Sequence, residues 1–134
     1  MLINTSSDRF LWFSCIKENF GLEYYLNTLN VKKFRDTFIR FRMGINKLRS
    51  NDRYREVVDA KCPFCQGVEN EEHVLLSCPV YQQLREKYLQ RYIGNKGSLN
   101  ACKHLMKGIH GKMTQSVAMF VYYALLYREQ RLNE

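Results

Sequence analysis

Between Lys61 and Pro79 the chain reads KCPFCQGVENEEHVLLSCP, and no other stretch restricts the fold as tightly. Three cysteines and a histidine stand at the spacing Cys62-x2-Cys65-x7-His73-x4-Cys78. Two cysteines separated by two residues let one tight turn present both sulfurs, and three thiolates with one imidazole suit zinc in a closed tetrahedral shell. Pro63 fixes φ in that turn, and Gly67 is expected to adopt the positive φ that a knuckle needs after its second cysteine. Asn70 is placed to cap a short helix starting at Glu71, which would carry His73 inward. Cys78 then falls just past the helix end, before Pro79. The expectation is one structural Zn2+ held by Cys62, Cys65, His73 and Cys78. A closed shell leaves no position for water, so such a metal supports folding and not hydrolysis. Its apparent binding free energy, ~10–16 kcal/mol, would go directly into the fold.

Other uses of these cysteines fit less well. A redox CPxC motif should follow a strand and open a helix inside a βαβ pattern; here it opens into Gln66-Gly67-Val68. The five cysteines are odd in number, and no basic n-region with an apolar stretch and a cleavage site marks a secreted chain. A disulfide framework is therefore not expected, and an intracellular location, nucleus or cytoplasm, is. Cys102, His104 and His110 lack a second ligand pair at finger spacing and read as core or surface groups. Cys15, among Leu11, Trp12, Phe13 and Ile16, reads as a core thiol.

Around the knuckle the periodicity is helical. Helices are expected from Ser7 to Phe20, stopped at Gly21, and from Leu22 to Leu29. Asn30 is a candidate cap for a third, from Val31 to Ile45, in which Val31, Phe34, Phe38, Phe41 and Ile45 form one apolar stripe. Residues 46–61 read as a polar, basic connection. Pro79 is expected to start a helix through Val80, Leu84, Tyr88 and Tyr92, ending at Gly94. Ser98 would cap a short helix and Thr114 a last one, apolar almost all round from Val117 to Leu126. That apolar run is too short to span a bilayer and reads as a core element. Apart from a tiny hairpin around Cys62–Cys65, strand signals are weak. The fold class is mainly α: a single small helical domain over residues 1–134 with a CCHC zinc knuckle embedded at 61–79.

Charge says more about partners. The net charge is +8, but residues 31–55 carry +7 and 85–112 carry +6, on either side of −4 over 56–84. A basic domain of this size points to a polyanion, most often nucleic acid. Lys33, Arg40 and Lys47 recur one heptad apart, opposite the apolar stripe, while Arg35 and Arg42 border it with stems packed and heads reaching out. The expected phosphate grip is Lys33, Arg40 and Lys47, extended by Arg49, Arg53, Lys87 and Arg91. The knuckle's Glu69, Glu71 and Glu72 are expected to repel phosphate, so zinc would act indirectly, clamping the basic segments. The rival reading is a protein-interaction adaptor whose charge is a solvated surface. No P-loop, GxSxG or GxGxxG motif occurs, and neither an enzyme, a small-molecule substrate nor a membrane partner is expected.

The knuckle and its surroundings resemble the zinc-binding segment at the C-terminal end of non-LTR (LINE-type) retrotransposon reverse transcriptases. The matching residues are Cys62-Pro63-Phe64-Cys65, the acidic stretch Glu69 to Glu72, His73-Val74-Leu75-Leu76, Cys78-Pro79, Tyr81 and Leu84-Arg85. Upstream, the Lys33–Arg42 helix and Arg53-Tyr54 are also similar, so the close resemblance covers about residues 31–92. It implies a C-terminal tail without the enzyme, because the family's polymerase needs paired aspartates and no Asp-Asp occurs here. It also implies nucleic acid, with RNA the expected polymer, as partner during target-primed reverse transcription, together with the rest of a reverse transcriptase polyprotein.

Overall fold

The computed structural model describes residues 29–49, 60–94, 98–107 and 111–133. The helices expected before residue 29 lie outside these residues, as do Cys15, Arg53, His110 and most of the 46–61 connection. The described residues are mostly helical, and their only β pairing is an isolated antiparallel bridge between Lys61 and Val68.

Helix α1, Lys32–Arg42, buries Phe38 and Phe41 completely, while the two ends of the expected stripe, Val31 and Ile45, are exposed. The helix stops short of Ile45 because Gly44 takes φ 74°. The Gly44 N–H donates to the Phe41 carbonyl and the Ile45 N–H to the Arg40 carbonyl, at 3.1 and 2.8 Å. This paired closure is a Schellman motif, which needs a residue without Cβ at its left-handed position.

After the knuckle, Pro79–Tyr81 form a single 3-10 turn that leads into α2, Gln82–Tyr88. The helix expected to run on to Gly94 breaks at Leu89 and resumes as α3, Gln90–Ile93, ending at Gly94 with φ 60°. Helix α4 spans Ser98–Met106 and α5 spans Gly111–Leu132. The expected capping role of Ser98 lies outside the described residues, because its side chain and the residues before it are not among them. Thr114, also expected to be a cap, lies inside α5 and is buried, because the helix begins at Gly111.

Helix α5 is the centre of the fold. It packs against α1, α2 and α4, which is why its sequence is apolar on nearly every side. Met113, Val117, Ala118, Phe120, Val121 and Ala124 are all buried. Among the described residues, no helix is long and apolar enough to cross a membrane.

Arg42 departs from expectation. Its head does not reach solvent: the residue is buried, and its Nε donates to the carbonyl of Met106, the last residue of α4, at 2.7 Å. The guanidinium thereby satisfies a helix-terminal carbonyl inside the core, where an unpaired one would be costly.

Candidate metal centre

The cluster is assembled from three local structures. In the first, the Lys61–Val68 bridge closes a turn, with the Cys62 N–H donating to the Gly67 carbonyl at 2.7 Å and the Glu69 N–H to the Ala60 carbonyl at 2.8 Å. This turn presents Cys62 and Cys65. In the second, Asn70 caps the following helix as expected: its Oδ1 accepts from the His73 N–H at 2.8 Å. In the third, residues His73–Ser77 widen into a π turn, and the Cys78 N–H donates to the His73 carbonyl at 2.8 Å. At ~100° per residue an α-helix would turn a residue five positions on by about 140° from His73. The wider turn removes much of that rotation and brings Cys78 back towards His73.

The three Sγ atoms and an imidazole nitrogen all lie within 4.8 Å of one another, and the cysteines are free thiols. Cys62 Sγ and Cys78 Sγ are 3.8 Å apart, and Cys65 Sγ is 3.2 Å from His73 Nε2. Tetrahedral bonds of ~2.3 Å to a central ion place sulfurs ~3.8 Å apart, so the donor set fits a single metal ion. Backbone amides turn towards the sulfurs, with the Phe64 N–H donating to Cys62 Sγ at 3.5 Å and the Val80 N–H to Cys78. Such bonds favour the thiolate, the form that binds metal.

Without a cation the burial of these groups works the other way. It pushes the Cys78 thiol up to about 12, raises that of Cys62, and lowers the imidazolium of His73 below its usual range. A divalent ion would reverse the penalty for the thiols, while His73 is already held in the neutral form that ligates.

Gly67 is needed for a different reason from the one expected. Its φ is not positive. Instead a Cβ there would sit 2.8 Å from His73 Cε1 and 3.0 Å from Nδ1. The imidazole lies directly on the glycine backbone, which leaves no room for any side chain.

The knuckle is held to the rest of the fold by buried charge. Arg85, on α2, folds back so that Nε donates to the Leu75 carbonyl at 2.8 Å and Nη2 to those of Val74 and Cys78, each at 3.0 Å. It closes off the carbonyls around the π turn, between the last two ligands. Glu69, fully buried, receives Arg128 of α5 in a two-pronged pair at 2.8 and 2.9 Å, and also accepts the Arg49 N–H at 2.9 Å. Glu71 accepts from Asn46 Nδ2 at 2.9 Å. Both carboxylates are turned inward: Arg128 neutralises Glu69, and Glu71 accepts from the Asn46 amide.

The seven expected phosphate contacts are distributed as follows. Lys33 is exposed, its ammonium 5.2 Å from the ring centre of Tyr122. Arg40 is exposed and lies between two grooves on the α1–α5 seam, of about 310 and 450 Å³, both bordered by Tyr122. Lys47 stands beyond the end of α1 and pairs with Glu129 at 3.3 Å. Both side chains of that pair are well exposed, so the pairing is weak and open to competition by a phosphate. Arg49 is tied to the knuckle, its Nη1 donating to the Lys61 carbonyl at 3.1 Å. Lys87 and Arg91 are exposed on α2 and α3, over the rings of Tyr88 and Tyr92. Arg53 lies outside the described residues. Cys102 is buried, which pushes its thiol up to about 12.

The chain matches no family model, no curated protein and no solved structure.

Sequence reasoning missed Arg85, Arg128 and Glu69 as parts of the centre's support. A charged residue in a basic or acidic run carries no local mark that it will be buried. The one usable signal was Arg85, which stands one heptad after Cys78 and one turn from the start of its helix.

Proposed function

We propose that this chain is a zinc-stabilised nucleic-acid-binding module, with RNA the polymer favoured by its resemblance to the tail of non-LTR retrotransposon reverse transcriptases. Zinc is the metal that three thiolates and an imidazole suit best, and a four-ligand shell assigns it a structural role. The observation that carries the binding reading is the row of exposed cations, Lys33, Arg40 and Lys47, along grooves that share Tyr122. Cations beside an accessible ring meet the two needs of a nucleic acid, phosphate neutralisation and a surface for bases. A protein-adaptor reading draws on Ile45 and Leu126, exposed apolar residues that line the 310 Å³ groove. The basic rim favours a polyanion over an apolar partner.

Two measurements test the reading. Metal analysis of the purified chain should return one zinc per molecule, lost on Cys65→Ser or His73→Ala substitution and kept on Cys102→Ser. Replacing Lys33, Arg40 and Lys47 by Gln should weaken RNA binding for every sequence. It should also flatten the slope of log K against log salt by about 2, at ~0.7 per phosphate contact on a single strand. An unchanged affinity and slope would remove these residues from the interface.

A further inference from the structure

Four aromatic contacts, two between sequence neighbours and two between distant helices, join the two basic segments across α5. Lys87 Nζ stands 5.2 Å over the ring of Tyr88. Tyr88 lies nearly parallel to Tyr123, 13° apart in plane with centroids at 6.1 Å. Tyr123 meets Tyr122 edge-on at 5.2 Å, and Tyr122 meets the ammonium of Lys33 at 5.2 Å. The three tyrosines are half-buried and the two lysines exposed. The result is a belt of π surface with a cation at each end, one from each basic segment.

The Tyr88–Tyr123 part of the belt borders a groove of about 460 Å³ between α2 and α5. Besides the tyrosines and the aliphatic side chains of Val80, Leu84 and Leu126, its lining carries Lys87 and the amides of Gln83 and Gln130, and it carries no carboxylate. The near-parallel rings offer faces for stacking, the glutamines offer both donors and acceptors to a base edge, and the lysine neutralises phosphate. A duplex hides the faces of its bases, whereas a single strand exposes them.

We infer that the Tyr88–Tyr123–Tyr122 belt is a stacking platform for single-stranded nucleic acid, its backbone held at the ends by Lys87 and Lys33. This deepens the nucleic-acid reading proposed above and rests on it. The belt tolerates sequence, because every base has a π face. A proline-rich peptide also suits aromatic grooves, but it gives the terminal lysines nothing to neutralise.

The test is fluorescence anisotropy on the metal-loaded full chain with labelled oligouridylate, an RNA duplex of equal length and a proline-rich peptide. The oligouridylate should bind at least about 10-fold more tightly than the duplex. Replacing Tyr88 and Tyr123 together by Leu should weaken it about 10-fold or more and leave duplex binding within about twofold, whereas the double Tyr→Phe variant should keep wild-type affinity. Metal content and melting temperature identify any variant that fails to fold. The wild-type preference and the Phe variant do not depend on the Leu variant folding. Equal, salt-sensitive binding of single strand and duplex by the wild type would overturn the platform and leave the nucleic-acid reading standing. Loss of binding in the Phe variant would also overturn the platform. Binding of neither nucleic acid, with or without capture of the peptide, would overturn both.

Discussion

At Gly67 a single hydrogen atom makes room for a ligand. The His73 ring sits where a Cβ would stand, at 2.8 Å from the nearest ring carbon, and both neighbours are held by backbone hydrogen bonds. Gly67→Ala should therefore displace the imidazole and lower metal affinity roughly 10–100-fold, the cost typical of disturbing the support of a ligand. Competition with a chromophoric chelator measures this. Gly94 is the control: it has φ 60° and ψ −141° but no atom near its Cβ position, so Gly94→Ala should cost about 1–3 kcal/mol of stability and leave metal affinity unchanged. Equal metal affinity in wild type and Gly67→Ala would show that the ring has room to move. Arginine illustrates the same dependence on surroundings. Arg42 and Arg85 come from the basic segments and Arg128 from a stretch of mixed charge, and all three are buried on carbonyls or a carboxylate.

At the scale of elements, the knuckle is a turn and a π turn facing each other, and each buries thiols that are costly to ionise. Burial raises Cys62 and pushes Cys78 up to about 12, so the metal-free fold favours their protonated forms. The contribution of these thiols to metal-free stability is complete below about pH 9 and is lost as pH rises towards 12. Metal binding has the opposite sign, because protons leave the thiols as the ion enters. Apparent affinity should thus rise with pH between 6 and 8, by up to about 10-fold per pH unit for each proton released. Titration calorimetry in buffers of different ionisation enthalpy counts those protons. An affinity independent of pH would mean that the thiols do not ligate. The same element also shows where sequence patterning fell short. An expected α turn after Asn70 is capped as foreseen but opens to the π register, because Cys78 must return to His73.

At the scale of the molecule, one buried pair ties the knuckle to the central helix. Glu69 is fully buried and Arg128 nearly so, and a two-pronged bond joins them across 59 residues of sequence. Breaking such a pair leaves an uncompensated buried charge, so Arg128→Met should destabilise by about 3–5 kcal/mol. The double substitution Glu69→Leu with Arg128→Met should cost less than the single one, since neither charge is then stranded. Denaturant melts of the two single variants and the double variant give the interaction energy. Additive losses would mean that the pair contributes nothing specific. The same tie bears on the groove beside it, since Arg128 and Asn46 line the 310 Å³ cleft and both are bonded to knuckle carboxylates.

The sequence by itself determined the four-residue donor set, the helical class and the central burial of the last helix. Each is written in short-range order: ligand spacing along a turn, apolar residues at helical intervals, and a run apolar on every side. It also placed Asn70 as a cap and Pro79 at the start of a helical turn, both consequences of what the neighbouring backbone requires. Only the tertiary structure decided which charges are surface and which are internal. A guanidinium is buried when a carbonyl or carboxylate from a distant segment meets it, as Met106 meets Arg42 and Glu69 meets Arg128. The tyrosine belt has the same origin. Lys33, Tyr88 and Tyr122 belong to three separate helices, and only the packing of α1 and α2 against α5 links them through Tyr123 into one run of contacts.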